Sequence, residues 1–364
     1  QTVSVIDVTI SKEKYHFIKQ TNQDFFQHHK SVLEHRKKNG CIFDCHGDLH
    51  SGNIVIDEDD VCIFDCIEFN KRFRYIDVAS DIGFLAMDLD VNNHPFLSSH
   101  LILEYVGKSH DISLFDVLNF YKSYRAYVRG KVIGFQLADE QIPHEKRQEI
   151  ITTAKQYFAL AEYYTRLFHL QYTKDQPVLF LISGLTGTGK STLASKLTVD
   201  YHATSLNTDI IRKDLAGINR FERHHDEPDT GLYAPERVKA TYEKLLERAD
   251  ELLQQHDSVV LDATFQKRCY REQAEKLAEE NNAFFVPIEC ICPEDIAAQW
   301  LQERLKKKTV SDGRWEIYQQ QKKTFESFNE SEDHIIIDMA NDDYEYRLQK
   351  FEEILSWMYH GEKS

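Results

Sequence analysis

The chain has 364 residues, enough for two domains at roughly 100–200 residues each, and its 41% hydrophobic content can build ordinary buried cores. The net charge of −16, from 44 basic and 60 acidic side chains, argues against bulk binding of nucleic acid, whose affinity rests mainly on neutralising backbone phosphates, although it leaves room for a local basic groove. No segment approaches the ~20 apolar residues of a membrane span, no signal peptide is evident, and seven cysteines without a disulfide-scaffold pattern suit a reducing cytoplasm, so no membrane partner is expected.

The first residue is Gln1 rather than Met, which predicts a processed or truncated form of a longer chain. Residues 1–172 read as one block. Phe25–Lys38 is predicted to be a helix. In His46-Gly47-Asp48-Leu49-His50-Ser51-Gly52-Asn53, the residues Asp48 and Asn53 keep the D-x-x-x-x-N spacing of kinase catalytic loops. A hairpin follows: Ile54-Val55-Ile56, an acidic turn, then Val61-Cys62-Ile63-Phe64, with Asp65 at its end. These residues resemble the catalytic loop of aminoglycoside phosphotransferases and related kinase-like enzymes. The resemblance implies that Asp48 accepts the proton of an acceptor hydroxyl and that Asn53 and Asp65 bind Mg²⁺. It also implies that in Ile76-Asp77-Val78-Ala79-Ser80-Asp81 the first aspartate, Asp77, orders the catalytic loop.

Kinase-like folds need an N-terminal lobe with a phosphate-covering loop and a β-strand lysine. Only 45 residues precede His46, and the first glycine is Gly40. This half therefore reads as a mostly helical α+β C-lobe without its N-lobe, expected to be inactive or nearly so in this form. Cys41/Cys45 and Cys62/Cys66 flank the loop, each pair spaced to share one face of a strand. Four thiols could bind zinc. That spacing on strands is unusual for zinc, however, and cysteine is commonly buried, so a structural role is the expectation. Leu101–Leu170 is helical in pattern, and Phe120, Tyr121, Tyr124 and Tyr127 are expected in its core.

Gln171–Pro177 is polar, ends in proline and reads as a linker into a second domain, 173–364. Strand patterns at Val178–Ile182, Ala203–Leu206, Ser258–Leu261, Ala283–Ile291 and His334–Asp338 alternate with helical ones. The helices are Lys190–Leu197, Pro235–Gln255, Cys269–Glu280, Pro293–Lys308 and Tyr344–Tyr359. Such alternation predicts βαβ units, hence an α/β domain with a parallel sheet flanked by helices.

Between the first strand and helix, Gly184-Leu185-Thr186-Gly187-Thr188-Gly189-Lys190-Ser191 matches G-x-x-x-x-G-K-[ST], with Thr192 next. The glycines let backbone N–H groups turn in around phosphates. Lys190 reaches the terminal phosphates, the Ser191 hydroxyl binds Mg²⁺, and the helix N-terminus adds positive potential. ATP and Mg²⁺ are the implied cofactors. Asp262 at a strand tip suits a second Mg²⁺ ligand. Asp209 follows the short second strand. It reads either as a helix N-cap or as the base that deprotonates an acceptor hydroxyl beside the γ-phosphate. Arg212 lies three residues on, on the same helical face, and would suit an acceptor with a nearby negative group.

Arg304 and Lys306, Lys307 and Lys308 end a helix before a polar loop, 309–314, a pattern expected of a lid whose cations stabilise the transferring phosphoryl. Arg304 is the leading candidate. The loop 220–235, with Arg223, His224, His225, Asp226 and Glu227, reads as polar surface rather than a metal site.

Thr208-Asp209-x-x-Arg212 and Val259-Val260-Leu261-Asp262-Ala263-Thr264-Phe265 resemble the P-loop kinases that include polynucleotide 5′-hydroxyl kinase domains, zeta toxins and chloramphenicol phosphotransferases. The resemblance implies Asp209 as base and arginines in the lid; the lysines at 306–308 depart from it. The whole chain resembles a bacterial family joining an aminoglycoside-phosphotransferase-like domain to a P-loop kinase domain. The leading reading is an ATP- and Mg²⁺-dependent kinase of a small-molecule hydroxyl. One rival is a polynucleotide 5′-hydroxyl kinase, which the Asp209/Arg212 pair fits and the −16 charge opposes, so a nucleic-acid end is the second acceptor class. The other is a nucleotide-binding regulatory module, which has no need of a base at Asp209.

Overall fold

The computed structural model describes residues 6–58, 60–222, 230–306 and 310–360. They divide into two compact units, Gln1–Thr173 and Lys174–Ser364.

In the first unit, α1 (Lys12–His28) buries Ile18, Thr21 and Phe25 and is capped by Ser11, whose hydroxyl accepts from Lys14 N–H. A second helix, α2 (Lys30–Lys38), follows after a break at His29 (φ −122°, ψ 17°), so the single helix expected over 25–38 is two. The break has a packing cause: Phe25 stacks on Phe120 at 4.7 Å and the His29 ring lies 4.4 Å from Tyr172. Strand β1 (Ile42–Asp44) comes next, then β2 (Ile54–Asp57) and β3 (Asp60–Ile63), a short α3 (Lys71–Arg74), β4 (Tyr75–Asp77) and α4 (Val78–Val91). β1 pairs antiparallel with β4, and β2 with β3.

Helices α5 (Pro95–Ser109), α6 (Phe115–Phe135) and α7 (His144–Thr173) complete the unit. α7 runs through Gln171–Thr173, which shortens the expected linker. Phe120 is buried, but Tyr124 is half exposed, on the outer face of α6, and not in the core. The cysteine pairs do not share strand faces: β1 is too short to hold either Cys41 or Cys45, and Cys66 lies beyond β3. Arg36 is fully buried and all its N–H donors are engaged. It makes two bonds to Asp77 (2.7 and 2.8 Å), two to Asp111 (both 2.9 Å) and one to Ser113 (2.8 Å), tying α2 to β4 and to the entry of α6.

The second unit runs β5 (Val178–Ser183), α8 (Lys190–Tyr201), β6 (Thr204–Asn207), α9 (Thr208–Ala216), α10 (Pro235–Leu253) and β7 (Val259–Asp262). It continues with α11 (Arg268–Glu280), β8 (Phe284–Ile291), α12 (Glu294–Leu305), α13 (Trp315–Thr324), β9 (Ile335–Asp338) and α14 (Tyr344–His360). The five described strands form one parallel sheet in the order β6-β7-β5-β8-β9. All six residues of β5 are buried, as a central parallel strand covered on both faces requires. Register aligns Ile182 with Asp262, and Asp262 with Asn207, so the carboxyl tips of β5, β7 and β6 end side by side, where open α/β sheets bind ligands. The helix α13, which sequence periodicity did not reveal, caps this edge.

Candidate active site

The P-loop fits into the second unit by its glycines. Gly184 has φ +136°, and a Cβ there would lie 2.3 Å from the Cys290 carbonyl oxygen of β8. Gly187 and Gly189 also take positive φ, pressed against Leu301 of α12 and Met339. Thr188 Oγ1 and Lys190 Nζ both donate to the Leu185 carbonyl, at 2.9 and 2.6 Å, and Gln321 of α13 accepts from Thr186 N–H at 2.8 Å.

The loop opens on a cavity of about 410 Å³. It holds together Lys190, Ser191, Asp209, Arg212, Asp262 and Arg304; of the other polar residues singled out in this half, Thr186 lines it too, while Thr188, Thr192 and Lys306 do not. Asp262 is buried at the β7 tip. It accepts from Asn207 Nδ2 at 2.6 Å and from the Ser191 hydroxyl. Burial pushes its carboxyl up, against the pull of Ser191 and of Lys190. Burial likewise lowers Lys190, partly offset by Asp262.

Asp209 lies in the first turn of α9 and is not its cap. Asn207 is: its Oδ1 accepts from the N–H groups of Asp209 (2.8 Å) and Ile210 (3.2 Å). Freed of that duty, the Asp209 carboxylate accepts from Arg212 Nη1 at 2.6 Å. Burial pushes Asp209 up, but the Arg212 guanidinium, the Ser311 hydroxyl and Lys190 outweigh it and hold the carboxyl below its ordinary value. Arg212 also lies 4.7 Å over the Tyr233 ring. Burial lowers Arg304 against the pull of Asp209 and Asp262, and Arg304 Nη1 points at Ser311 Oγ at 3.5 Å. Beyond Asp209 the wall carries Val238 and a stacked tyrosine pair, Tyr242 and Tyr270, at 3.9 Å. Lys307, Lys308 and residues 223–229, including His224 and His225, lie outside the described residues; Lys306 caps α12.

A serine hydroxyl and one carboxylate suit Mg²⁺, which takes few protein ligands alongside phosphate oxygens. Among the described residues no cluster of three or more His, Cys, Asp or Glu is gathered to hold a metal.

In the first unit, Asn53 is buried and its Nδ2 donates to the Asp48 carbonyl at 3.0 Å, while Phe64 N–H donates to the Asn53 carbonyl, which brings Asp65 next to Asn53. Asp48 is partly exposed, with His50 Nε2 at 3.7 Å. The loop is ordered by Asp81, not by Asp77: Asp81 accepts from His46 N–H (2.9 Å) and Gly47 N–H (3.0 Å), whereas Asp77 is occupied by Arg36 and by capping α4. Asp81 sits one helical turn further on, which turns its carboxylate back onto the loop. Arg125 adds a bond from Nη1 to the Gly47 carbonyl at 3.0 Å. Asn207, Ser311, Gln321 and Asp81 were not picked out from the sequence as site residues. Only Asn207, a cap residue before an apolar helix, carried a local signal.

Residues 179–328 match the AAA domain family. The second unit is thus a P-loop domain by motif and by sheet. Uncharacterized proteins of Mycobacterium tuberculosis and Mycobacterium bovis are 30% identical over 298 residues, 82% of this chain and 57% of theirs, so the chain spans little more than half the length of these relatives. Among solved structures, a gluconokinase from Sinorhizobium meliloti superposes with a TM-score of 0.34 at 19% identity, over 51% of this chain and 95% of that one. The APS kinase of Mycobacterium tuberculosis in complex with AMPPNP and APS gives 0.34 at 16% identity, over 50% and 98%. At such scores these superpositions say nothing about chemistry. No described helix is long and apolar enough to cross a membrane.

Proposed function

We propose that the P-loop unit is a kinase that moves the γ-phosphoryl of ATP to a hydroxyl of a small molecule. The observation that carries the reading is the placement of Asp209, ionised beside Arg212, in the same cavity as the P-loop lysine. The acceptor's O–H proton passes to an Asp209 carboxylate oxygen as its oxygen bonds to the γ-phosphorus. The bond from that phosphorus to the bridging oxygen breaks, and ADP leaves. Lys190 and Arg304 face the phosphoryl oxygens as charge shifts onto them. Gly184–Thr192 supplies the phosphate-binding amides. Ser191 and Asp262 would hold Mg²⁺, whose role is to neutralise phosphate charge. Arg212 keeps Asp209 ionised and in place.

A polynucleotide end is the second acceptor class, supported by the same Asp209–Arg212 pair. A purely regulatory ATP-binding role leaves that pair without a use. In the first unit, Asp48, Asn53 and Asp65 are assigned the proton-accepting and Mg²⁺-binding roles of an aminoglycoside-phosphotransferase-like site, supported by the hydrogen bonds that gather the loop around Asn53.

The test is transfer from γ-labelled ATP with Mg²⁺ to a pool of small hydroxyl compounds and, separately, to a 5′-hydroxyl oligonucleotide, with Lys190→Ala as blank. Label in the small-molecule pool supports the proposal. Label on the oligonucleotide alone moves the assignment to nucleic acid. ATP binding without label in either tube moves it to a regulatory module.

A further inference from the structure

Lys213 sits in α9, four residues beyond Asp209, and is 1% exposed. Its Nζ donates to the carbonyls of Val310 (2.7 Å), Glu222 (2.8 Å) and Arg220 (3.3 Å), and the Asp312 carboxylate lies 3.1 Å away. An ammonium has three N–H donors and no acceptor, so this shell leaves none of them unused. A buried charge persists only when it is paired and hydrogen-bonded. The partners come from two irregular segments, 220–222 and 310–312, neither of which belongs to a strand ladder.

The second of these segments reaches the cavity. Ser311 stands between Val310 and Asp312, the two residues that Lys213 holds. Its hydroxyl reaches Asp209 and receives Arg304 Nη1 at 3.5 Å. Two residues on, Gly313 lies so close to the P-loop that a Cβ would fall 2.2 Å from Thr186 Oγ1. One buried amine on the helix of the proposed base therefore holds the loop that links base, lid arginine and P-loop. Lys213 itself is not among the cavity-lining residues, whereas Arg212 next to it is.

We propose that Lys213 is a positioning residue: by pinning Val310 and Asp312 to α9, it seats Ser311 between Asp209 and Arg304. This rests on the reading of Asp209 as base. The groups that act on the Asp209 carboxylate are Arg212 of α9, Lys190 of the P-loop, Arg304 of α12, Asp262 of β7, Tyr233 and Ser311. Removing the Ser311 hydroxyl withdraws one support for the ionised form. The acid limb of any rate that needs Asp209 deprotonated then moves to higher pH.

The experiment uses the full chain and the variants Lys213→Met, Ser311→Ala and the pair combined. Amide hydrogen exchange over residues 310–313 reads the seating without reference to chemistry. Losing a charge-assisted set of bonds there should speed exchange about ten- to a hundredfold in Lys213→Met, and Ser311→Ala should leave residues 310–312 close to wild type while freeing only the Gly313 N–H, which donates to Ser311 Oγ at 3.3 Å. The pH dependence of Mg²⁺-dependent ATP hydrolysis, with water as acceptor, reads the consequence. Both single variants should raise the acid limb, and the double variant should raise it no further than Lys213→Met alone. Unchanged exchange over 310–313 in Lys213→Met overturns the proposal, as do shifts that add in the double variant. If Lys213→Met does not fold, Asp312→Asn carries the same test with a smaller change. Asp209→Asn separates the two layers. A wild-type pH profile in that variant removes the base and with it the catalytic half of the proposal, while exchange alone decides the pinning.

Discussion

Gly184→Ala probes the fit of the P-loop into the sheet. At φ +136° the backbone is in a region essentially reserved for glycine, which costs another residue about 1–3 kcal/mol. The new Cβ would also stand 2.3 Å from the Cys290 carbonyl oxygen. That oxygen cannot swing aside, because it belongs to β8, whose Glu289 is paired in register with Ser183 of β5. Overpacking of this kind costs about 1–3 kcal/mol more, for a total of about 2–6 kcal/mol. In a unit of about 190 residues each kcal/mol moves the midpoint by about 2–4 °C, so the second unit should melt about 4–24 °C lower. Gly217→Ala is the control. It also has positive φ (+68°), at the end of α9, but no atom lies within 4 Å of its would-be Cβ. Only the left-handed penalty of about 1–2 kcal/mol applies there. Calorimetry of both variants, with ATP binding measured alongside, checks the argument. A Gly184→Ala protein that melts no lower than Gly217→Ala and binds ATP as the parent does would refute it.

Asp209→Asn should lower transfer about 10²–10⁴-fold and leave ATP affinity within a few-fold; equal turnover would place the base elsewhere. Arg36→Met should destabilise the first unit by about 3–5 kcal/mol in urea titration, because Asp77, with a side chain only 2% exposed, is left buried without its partner; a loss below about 1 kcal/mol contradicts that network. Asp111 gives a pH signature. Burial pushes its carboxyl up, but Arg36 and Ser113 outweigh it and hold the folded-state value below the ordinary 3.8. Its contribution is therefore present above that pH and lost as pH falls through the lower folded value. The stability gap between parent and Asp111→Asn should shrink below about pH 4, and a gap that widens on acidification would contradict the pairing.

How much of this was legible depends on how local each signal is. The P-loop is written within nine consecutive residues, and the buried run 178–183 announces the strand that must precede it. Asp262 was found as the polar end of an apolar run. Asp209 was found by position, but its freedom from capping was not, because that required knowing that Asn207 takes the cap. In the first unit, Asp77 and Asp81 stand in one short stretch. The family resemblance pointed to Asp77, but Arg36, 41 residues away, claims it, and Asp81 holds the loop. The helix α13 was missed because its polar face answers to the P-loop through Gln321, 135 residues from Thr186.

The sequence by itself determined the elements whose cause is local: backbone geometry that only glycine tolerates, an apolar run long enough for a buried strand, a serine and an aspartate at the ends of such elements. The tertiary structure alone decided which charges meet. Lys213 belongs to no sequence motif and carries no local signal of its burial. It is buried because carbonyls and a carboxylate up to 99 residues away close around it, and a buried ammonium is stable only when such partners arrive together.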